Sequence, residues 1–260
     1  MILIIAHASD SGAAQIASNL ASALGSAAVQ VVRPEMLSLA RWSHQVDRRG
    51  RASTTIALRP GAKSLKDAAI SAVFNRISYL PAARFSRASS KDRDYAGAEM
   101  HALVTSWLAG FGERAIHSLR KHPWVTPWLP LQRWASVAAN CGLPVGKRTL
   151  GTLSRGYDLA ALAPDSNIRA QAAVPGNGPR EVGSVLVCGG EATGRLAPRF
   201  GLQALKAAEA LGHRLLEFRF AIESGRMALS EVNPIPSLTG DWEARSVTNF
   251  LISVARESAP

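Results

Sequence analysis

The stretch from Leu215 to Leu238, LLEFRFAIESGRMALSEVNPIPSL, constrains this chain more than any other. Leu215, Glu217, Arg219 and Ile222 lie on a first β-rich run, Glu223-Ser224-Gly225 turns the chain, and Met227 to Val232 runs back. A Gly within a short polar break between two such runs signals a hairpin. Its second strand ends at Glu231 and Asn233, and Pro234 and Pro236 stop it and fix its exit. Two residues apart on an extended chain, Glu231 and Asn233 project from one face. A carboxylate beside an amide oxygen is a hard donor pair of the kind that holds Mg²⁺ against phosphate oxygens. The same residues also make an ordinary strand end with an Asx-type turn.

The start of the chain points to a parallel α/β unit. Ile2 to Ala6 is a continuous apolar strand, and Ser9-Asp10-Ser11-Gly12 is a polar turn able to cap a helix. Ile16, Leu20 and Leu24 mark that helix, Gly25 ends it, and Val29 to Val32 is a second strand. Strand, helix, strand opens a parallel sheet. The opening apolar run is too short, and lacks the basic start, for a signal peptide or a membrane span. The turn after the first strand lies where open α/β sheets bind ligands, but it has no glycine-rich phosphate pattern. Two cysteines, Cys141 and Cys188, each within an apolar run, make no disulfide framework. They read as buried free thiols of a cytoplasmic protein.

Further elements follow. Thr54 to Leu58 and Ile70 to Asn75 read as strands, the second ending in the polar pair Asn75-Arg76, which fits either a ligand-facing rim or a plain strand exit. Trp42 and His44 have no partners that the sequence names. A helix opens at Asp92 with Tyr95, Met100, Leu103, Val104, Trp107 and Leu108 on its apolar side. His117 and His122, five apart among prolines, lack the spacing of a helical metal pair. Leu131 to Cys141 is a helix ended by Gly142-Leu143-Pro144-Val145, Ser184 to Cys188 a strand turned by Gly189-Gly190, and Leu202 to Leu211 a helix. A possible helix near Leu159, a strand from Ile168 to Val174 and the PGNGPR loop fill the interval between 151 and 182. A last helix runs from Ala244 to Ala255 behind the acidic cap Asp241-Glu243.

Charge divides the chain. Residues 1–150 hold 19 Lys/Arg against 8 Asp/Glu, and residues 151–260 hold 11 of each, so the whole net charge of +11 sits in the first part. A basic lobe attracts nucleotides, acidic peptides, nucleic acid or anionic lipid, and a merely solvated basic surface has the same composition. No RNA-binding signature or zinc cluster accompanies it, so nucleic-acid binding rests on charge alone.

Read together, SEVNPIPSL, AVFNRISYLP, the helix leading into GLPV, and PGNGPREVGSVLVCGG resemble, in order, segments of the ATP-grasp superfamily. The resemblance is nearest to the branch that glutamylates ribosomal proteins or modifies ribosomal peptides, and it covers most of the chain. It implies an α/β fold in which an N-terminal parallel α/β lobe, residues 1–125, precedes a shortened ATP-grasp-like two-lobe region, residues 126–260. It also implies ATP and Mg²⁺ as cofactors. Their reaction is phosphorylation of a peptide or small carboxylate, followed by attack of an amine or hydroxyl on the acyl phosphate. By position the resemblance assigns Glu231, Asn233 and Glu217 to the metal, Lys147, Arg169 and Glu217 to the cofactor, and Arg180 and Arg219 to catalysis.

Three departures accompany the likeness. Arg219 stands where such hairpins carry an acidic ligand, and a guanidinium cannot ligate Mg²⁺. Glu217, two residues earlier on the same face, is the substitute. No lysine occurs between Lys147 and Lys206, so Lys147 matches one phosphate-binding lysine and Arg169 or Arg180 must serve for the other. The span from Lys147 to Ser184 is short for a nucleotide lobe. Two readings follow: a working ATP-dependent carboxylate ligase, or a degenerate relative that binds a peptide, nucleotide or protein through its basic N-terminal lobe. A second acid close to Glu231 favours the first, and Arg219 turned into that face favours the second.

Overall fold

The computed structural model describes residues 1–117, 130–146 and 180–258, apart from 51, 62, 63, 78, 79, 82–84, 86 and 224. Lys147, Arg169, His122, the possible elements near Leu159 and Ile168–Val174, and PGNGPR up to Pro179 lie outside the described residues. The fold is mixed α/β, as expected, and the described residues form three sheets.

The first sheet is parallel, in the order β2-β1-β6, from β1 (Ile2–Ile5), β2 (Val29–Val32) and β6 (Ala72–Asn75). Every residue of β1 is buried, because its two faces enter different cores. Ile2 and Ile4 pack with helix α1 (Ser11–Leu24), which Asp10 caps by accepting from the Ala13 N–H at 2.9 Å. Leu3 and Ile5 face the second core, with helix α3 (Ser90–Ala109) and a small antiparallel sheet. That sheet has the order β3-β4-β5, from β3 (Arg41–Val46), β4 (Ala52–Ala57) and β5 (Leu65–Lys66). Helix α2 (Pro34–Leu39) leads into it.

This small sheet explains Trp42 and His44. Trp42 Nε1 donates to the Leu37 carbonyl at 2.9 Å, and its ring meets Trp107 edge-on at 5.3 Å. The two ring nitrogens of His44 reach Thr54 Oγ1 and Ser106 Oγ, each at 2.9 Å. Both residues tie β3 to its neighbours. Only the last turns of α3 are buried, through Val104, Trp107 and Leu108, and Tyr95 is 69% exposed. The apolar side expected to begin at Tyr95 is therefore shorter, because among the described residues no buried core cluster lies beneath the polar first half of α3.

The third sheet is antiparallel, in the order β10-β9-β7-β8. Its strands are β7 (Arg180–Cys188), β8 (Glu191–Thr193), β9 (Leu215–Glu223) and β10 (Arg226–Asn233). The expected hairpin is β9–β10, while β7 begins four residues earlier than its apolar run. Helix α4 (Leu131–Asn140) and helix α5 (Ala197–Leu211) cover one face through Trp134, Ala138, Phe200, Ala204, Ala207 and Leu211. Helix α5 starts five residues before the expected Leu202. Pro198 sits in its first turn, where a missing N–H costs nothing, and Gly201 lies close against Ala192. Beyond α4, Leu229 N–H donates to the Pro144 carbonyl at 2.6 Å, and Val145 bridges Leu229 in parallel. The GLPV segment thus lies along the β10 edge.

Helix α6 (Asp241–Glu257) covers the other face of β7 and also packs on α1 and β1. Val247, Leu251 and Val254 are buried there, with Leu186, Cys188 and Leu215 from the third sheet and Ile2, Ile4 and Phe74 from the first. Gly189 makes the fit possible. Its φ is +61°, and a Cβ there would lie 2.2 Å from the Phe250 ring. Among the described residues no helix is long and apolar enough to cross a membrane.

Candidate functional site

The candidate site lies where the end of β10 meets the ends of β1 and β6. Strand pairing sets its polar face. Arg219 stands opposite Glu231, Glu217 opposite Asn233, and on the other side Arg219 pairs with Ser184 and Glu217 with Leu186. Directly opposed residues share a face, so Glu217, Arg219, Glu231 and Asn233 all project together. A bulge makes this possible. Leu229 pairs with Phe220 in the core, and strict alternation would send Glu231 to that same buried face. The register shift between Leu229 and Glu231 leaves Ser230 as the extra residue, and it turns Glu231 outward, opposite Arg219. Ser230 Oγ donates to the Arg219 carbonyl at 3.0 Å.

Arg219 lies between the two carboxylates. Its Nη2 is 3.0 Å from Glu217 Oε2 and its Nη1 is 3.6 Å from Glu231 Oε2. Nη2 also donates to Ser237 Oγ at 3.4 Å. Glu217 is 6% exposed, Arg219 28% and Glu231 55%, so the cluster runs from the interior to the surface. The Glu217 contact is an ion pair in which Glu217 Oε2 accepts no aligned hydrogen bond, and Arg219 Nε, also buried, donates none. Burial raises the Glu217 carboxyl above the usual carboxylate range, against the pull of Arg219. Burial acts to lower the Arg219 pKa, but Glu217, Glu231 and Glu181 together outweigh it and raise it.

Asn233 Oδ1 accepts from the Ile235 N–H at 2.9 Å, the Asx turn that a strand end makes. An amide oxygen has two lone pairs, so a second is left for a ligand. Arg180 is not part of this constellation. It pairs with Ile222, whereas its neighbour Glu181 pairs with Ala221, so strand alternation puts Glu181 on the side of Arg219 and Arg180 on the opposite side. Lys147 and Arg169 lie outside the described residues.

The chain after Asn233 is held by a clasp that sequence reasoning left unassembled. Arg76, at the end of β6, donates from Nε to Asp10 Oδ2 at 2.6 Å and from Nη2 to Asp10 Oδ1 at 3.3 Å. Its Nη1 donates to the Pro236 carbonyl at 2.9 Å. The Arg76 side chain is 5% exposed, so Asn75-Arg76 is a buried strand exit rather than an open rim. Gly12 completes the clasp, because a Cβ there would lie 2.7 Å from the Ser237 carbonyl oxygen. Leu238 takes φ +54°, rare for a branched side chain, and buries itself beside α1 and α6. The parallel order β1-β6 brings the ends of these two strands together. That adjacency was the available signal, since both polar turns were visible separately.

Glu217, Glu231 and Asn233 supply hard oxygens, and the buried Glu217 Oε2 lacks an aligned hydrogen bond. These features fit a divalent ion bound with phosphate, with one exception: Arg219 already stands between the carboxylates. Among the described residues no group of three or more His, Cys, Asp or Glu is arranged to hold a metal by itself.

No protein-family model matches the chain, and no curated protein does. Solved structures match over nearly its full length. The ATP-grasp ligase PsnB, complexed with minimal precursor, Mg and ADP, superposes with a TM-score of 0.65 at 14% identity, covering 98% of each chain. A RiPP-associated ATP-grasp ligase of Chryseobacterium gregarium, in complex with ADP and a leader and core peptide, matches with a TM-score of 0.65 at 12% identity, covering 100% of this chain and 97% of that one. The macrocyclase MdnC of Microcystis aeruginosa MRC, bound with precursor peptide MdnA, matches with a TM-score of 0.65 at 13% identity, covering 97% and 99%. With its first and third sheets joined through the last helix and its acid-and-amide strand end held by the Asp10–Arg76 clasp, this chain has the fold of the ATP-grasp ligases.

Proposed function

We propose that this protein is an ATP-dependent ligase that joins a carboxylate of a peptide, or a small carboxylate, to an amine or hydroxyl. The observation that carries the reading is the placement of Glu231 and Asn233. They occupy one open face at the end of β10, with Glu217 across the strand pair, in a fold shared along its length with ligases solved with ADP and precursor peptides. ATP supplies the phosphoryl group that activates the carboxylate. Glu231 and Asn233 would hold the Mg²⁺ that accompanies it. Arg219 offers a fixed cation on the same face, and the Asp10–Arg76 clasp keeps Ser237 within reach of Arg219. The basic excess in residues 1–150 supports an acidic or phosphate-bearing ligand.

The position of Arg219 favours a second reading, a relative that binds its ligand without turnover, because the guanidinium engages both carboxylates. Titration calorimetry of ATP with and without Mg²⁺, on the wild type and on Glu231→Ala, tests the first reading. It expects Mg²⁺-dependent binding that weakens at least tenfold in the variant. Absence of nucleotide binding under both conditions overturns the ligase and leaves the second reading.

A further inference from the structure

We propose that Arg219 is the resident cation of the Glu217–Glu231 pair, and that while it is present this pair takes no divalent ion. The inference deepens the proposed function, on whose nucleotide-binding face it rests, by setting how many metal ions that face can hold.

The argument starts from geometry. A divalent ion bridging two carboxylates needs an oxygen from each at about 2.0–2.6 Å. Here Arg219 Nη2 and Nη1 approach one oxygen of each, at 3.0 and 3.6 Å. One guanidinium therefore spans the interval that a bridging ion would occupy. The arrangement is built by the fold rather than by a loose surface side chain. The bulge at Ser230 turns Glu231 toward Arg219, Ser230 Oγ holds the Arg219 carbonyl, and Ser237, fixed by the clasp, accepts from Nη2.

Charge supports the same conclusion. Glu217 and Glu231 bring two negative charges, and Arg219 returns one. A divalent ion entering between them would meet a guanidinium within van der Waals range, in a partly buried setting where like charges repel strongly. Arginine keeps its proton under all ordinary conditions, so it does not step aside by losing charge. Asn233 is not engaged by Arg219 in any hydrogen bond described, and Glu231 is more than half exposed. The outer end of the face therefore remains open to one ion, and the Glu217 end does not.

The test uses Mn²⁺ as probe, on the full chain, first alone and then with ADP. Bound ion is counted by electron paramagnetic resonance in the wild type, Arg219→Gln, Arg219→Lys and the double variant Arg219→Gln/Glu217→Gln. The expected result is that Arg219→Gln gains a Mn²⁺ site at least tenfold tighter than any the wild type has in that assay, or one additional ion in the ADP complex. Arg219→Lys keeps the charge and should not gain it, and the double variant should lose it. Equal Mn²⁺ counts and affinities in wild type and Arg219→Gln would overturn the proposal. Should Arg219→Gln fail to fold, anomalous diffraction from wild-type crystals soaked in Mn²⁺ decides. No peak between Glu217 and Glu231 supports the proposal, and a peak there overturns it. Failure of ADP to bind any of the proteins counts against the ligase reading, whereas the Mn²⁺-alone comparison still reports on Arg219.

Discussion

Replacing Arg76 with Met tests whether the clasp from the ends of β1 and β6 to the turn after Asn233 is structural in the strong sense. Arg76 is 5% exposed and Asp10 15%, and the guanidinium makes two bonds to the carboxylate and one to the Pro236 carbonyl. Met fills much of the same volume but supplies no donor. Asp10 keeps its bond from the Ala13 N–H, so the loss is the buried charge partner and not the helix cap. Breaking a buried pair from one side costs about 3–5 kcal/mol, because the remaining charge stays desolvated. With a urea slope of about 3 kcal/mol/M, the unfolding midpoint should fall by roughly 1–1.7 M. Asp10→Asn keeps one acceptor oxygen, for Ala13 and Arg76 Nη2, but turns an NH2 toward Arg76 Nε and removes the counter-charge, so it should cost a comparable amount. In a double-mutant cycle the two changes should couple by at least about 1 kcal/mol, since they share one set of contacts. A cost under about 1 kcal/mol for Arg76→Met, or strict additivity with Asp10→Asn, would refute the clasp as a source of stability.

Two further outcomes are expected. Burial pushes the Cys188 thiol from 9.0 up to about 12. The folded state therefore holds that proton more tightly than the unfolded chain, and the stability this gives is complete below pH 9 and lost as pH rises through about 12. At pH 9, iodoacetamide should leave Cys188 unmodified in the native protein and alkylate it on denaturation, as read by mass spectrometry; equal rates in the two states would contradict the assignment. Gly189→Ala forces a Cβ to within 2.2 Å of Phe250 at a positive φ. It should cost at least about 2 kcal/mol by thermal or urea unfolding, with partial recovery when Phe250→Leu is added; a neutral Gly189→Ala would show that α6 moves freely on the sheet.

Much of the scaffold could be read from the residues because its signals are local. The Ile2–Ile5 run, the Ile16–Leu20 spacing and the turn at Gly225 each declare an element within a few positions. The hairpin register was legible as far as Glu231 and Asn233 sharing a face. What it did not declare was the bulge at Ser230, because a bulge depends on the partner strand and not on composition. The starts of α5 and β7 were hidden for a related reason. Pro198 reads as a breaker until it is known to be in a first turn, and Arg180 and Glu181 read as loop until β9 pairs with them. Strand β3 was missed because RWSHQV is stabilised by Trp107 and Ser106, more than sixty residues away. The site divides in the same way. Glu231 and Asn233 came from spacing, and Glu217 and Arg219 from the resemblance to ATP-grasp hairpins, while Asp10, Arg76, Gly12 and Ser237 needed the strand order. Arg180 was assigned by position along the chain, and strand alternation placed it on the other face.

The shared core of β1 and α6 has a consequence for the order in which the protein can be made. Ile2 and Ile4 are synthesised long before the helix that covers them, and the side of β1 they form is closed by Val247, Leu251 and Val254, nearly two hundred and fifty positions later. Until that segment is synthesised, the first sheet has one finished core, around Leu3 and Ile5, and one open apolar flank. Contacts of such long sequence separation form slowly, since the intervening chain must be closed before they reward it. The nascent first sheet thus has an exposed apolar flank of the kind that invites chaperones and self-association. Closing that core is tied to the same polypeptide stretch that delivers Glu231 and Asn233, so a molecule whose first sheet is covered on both faces is one in which the acid-and-amide strand is already in place.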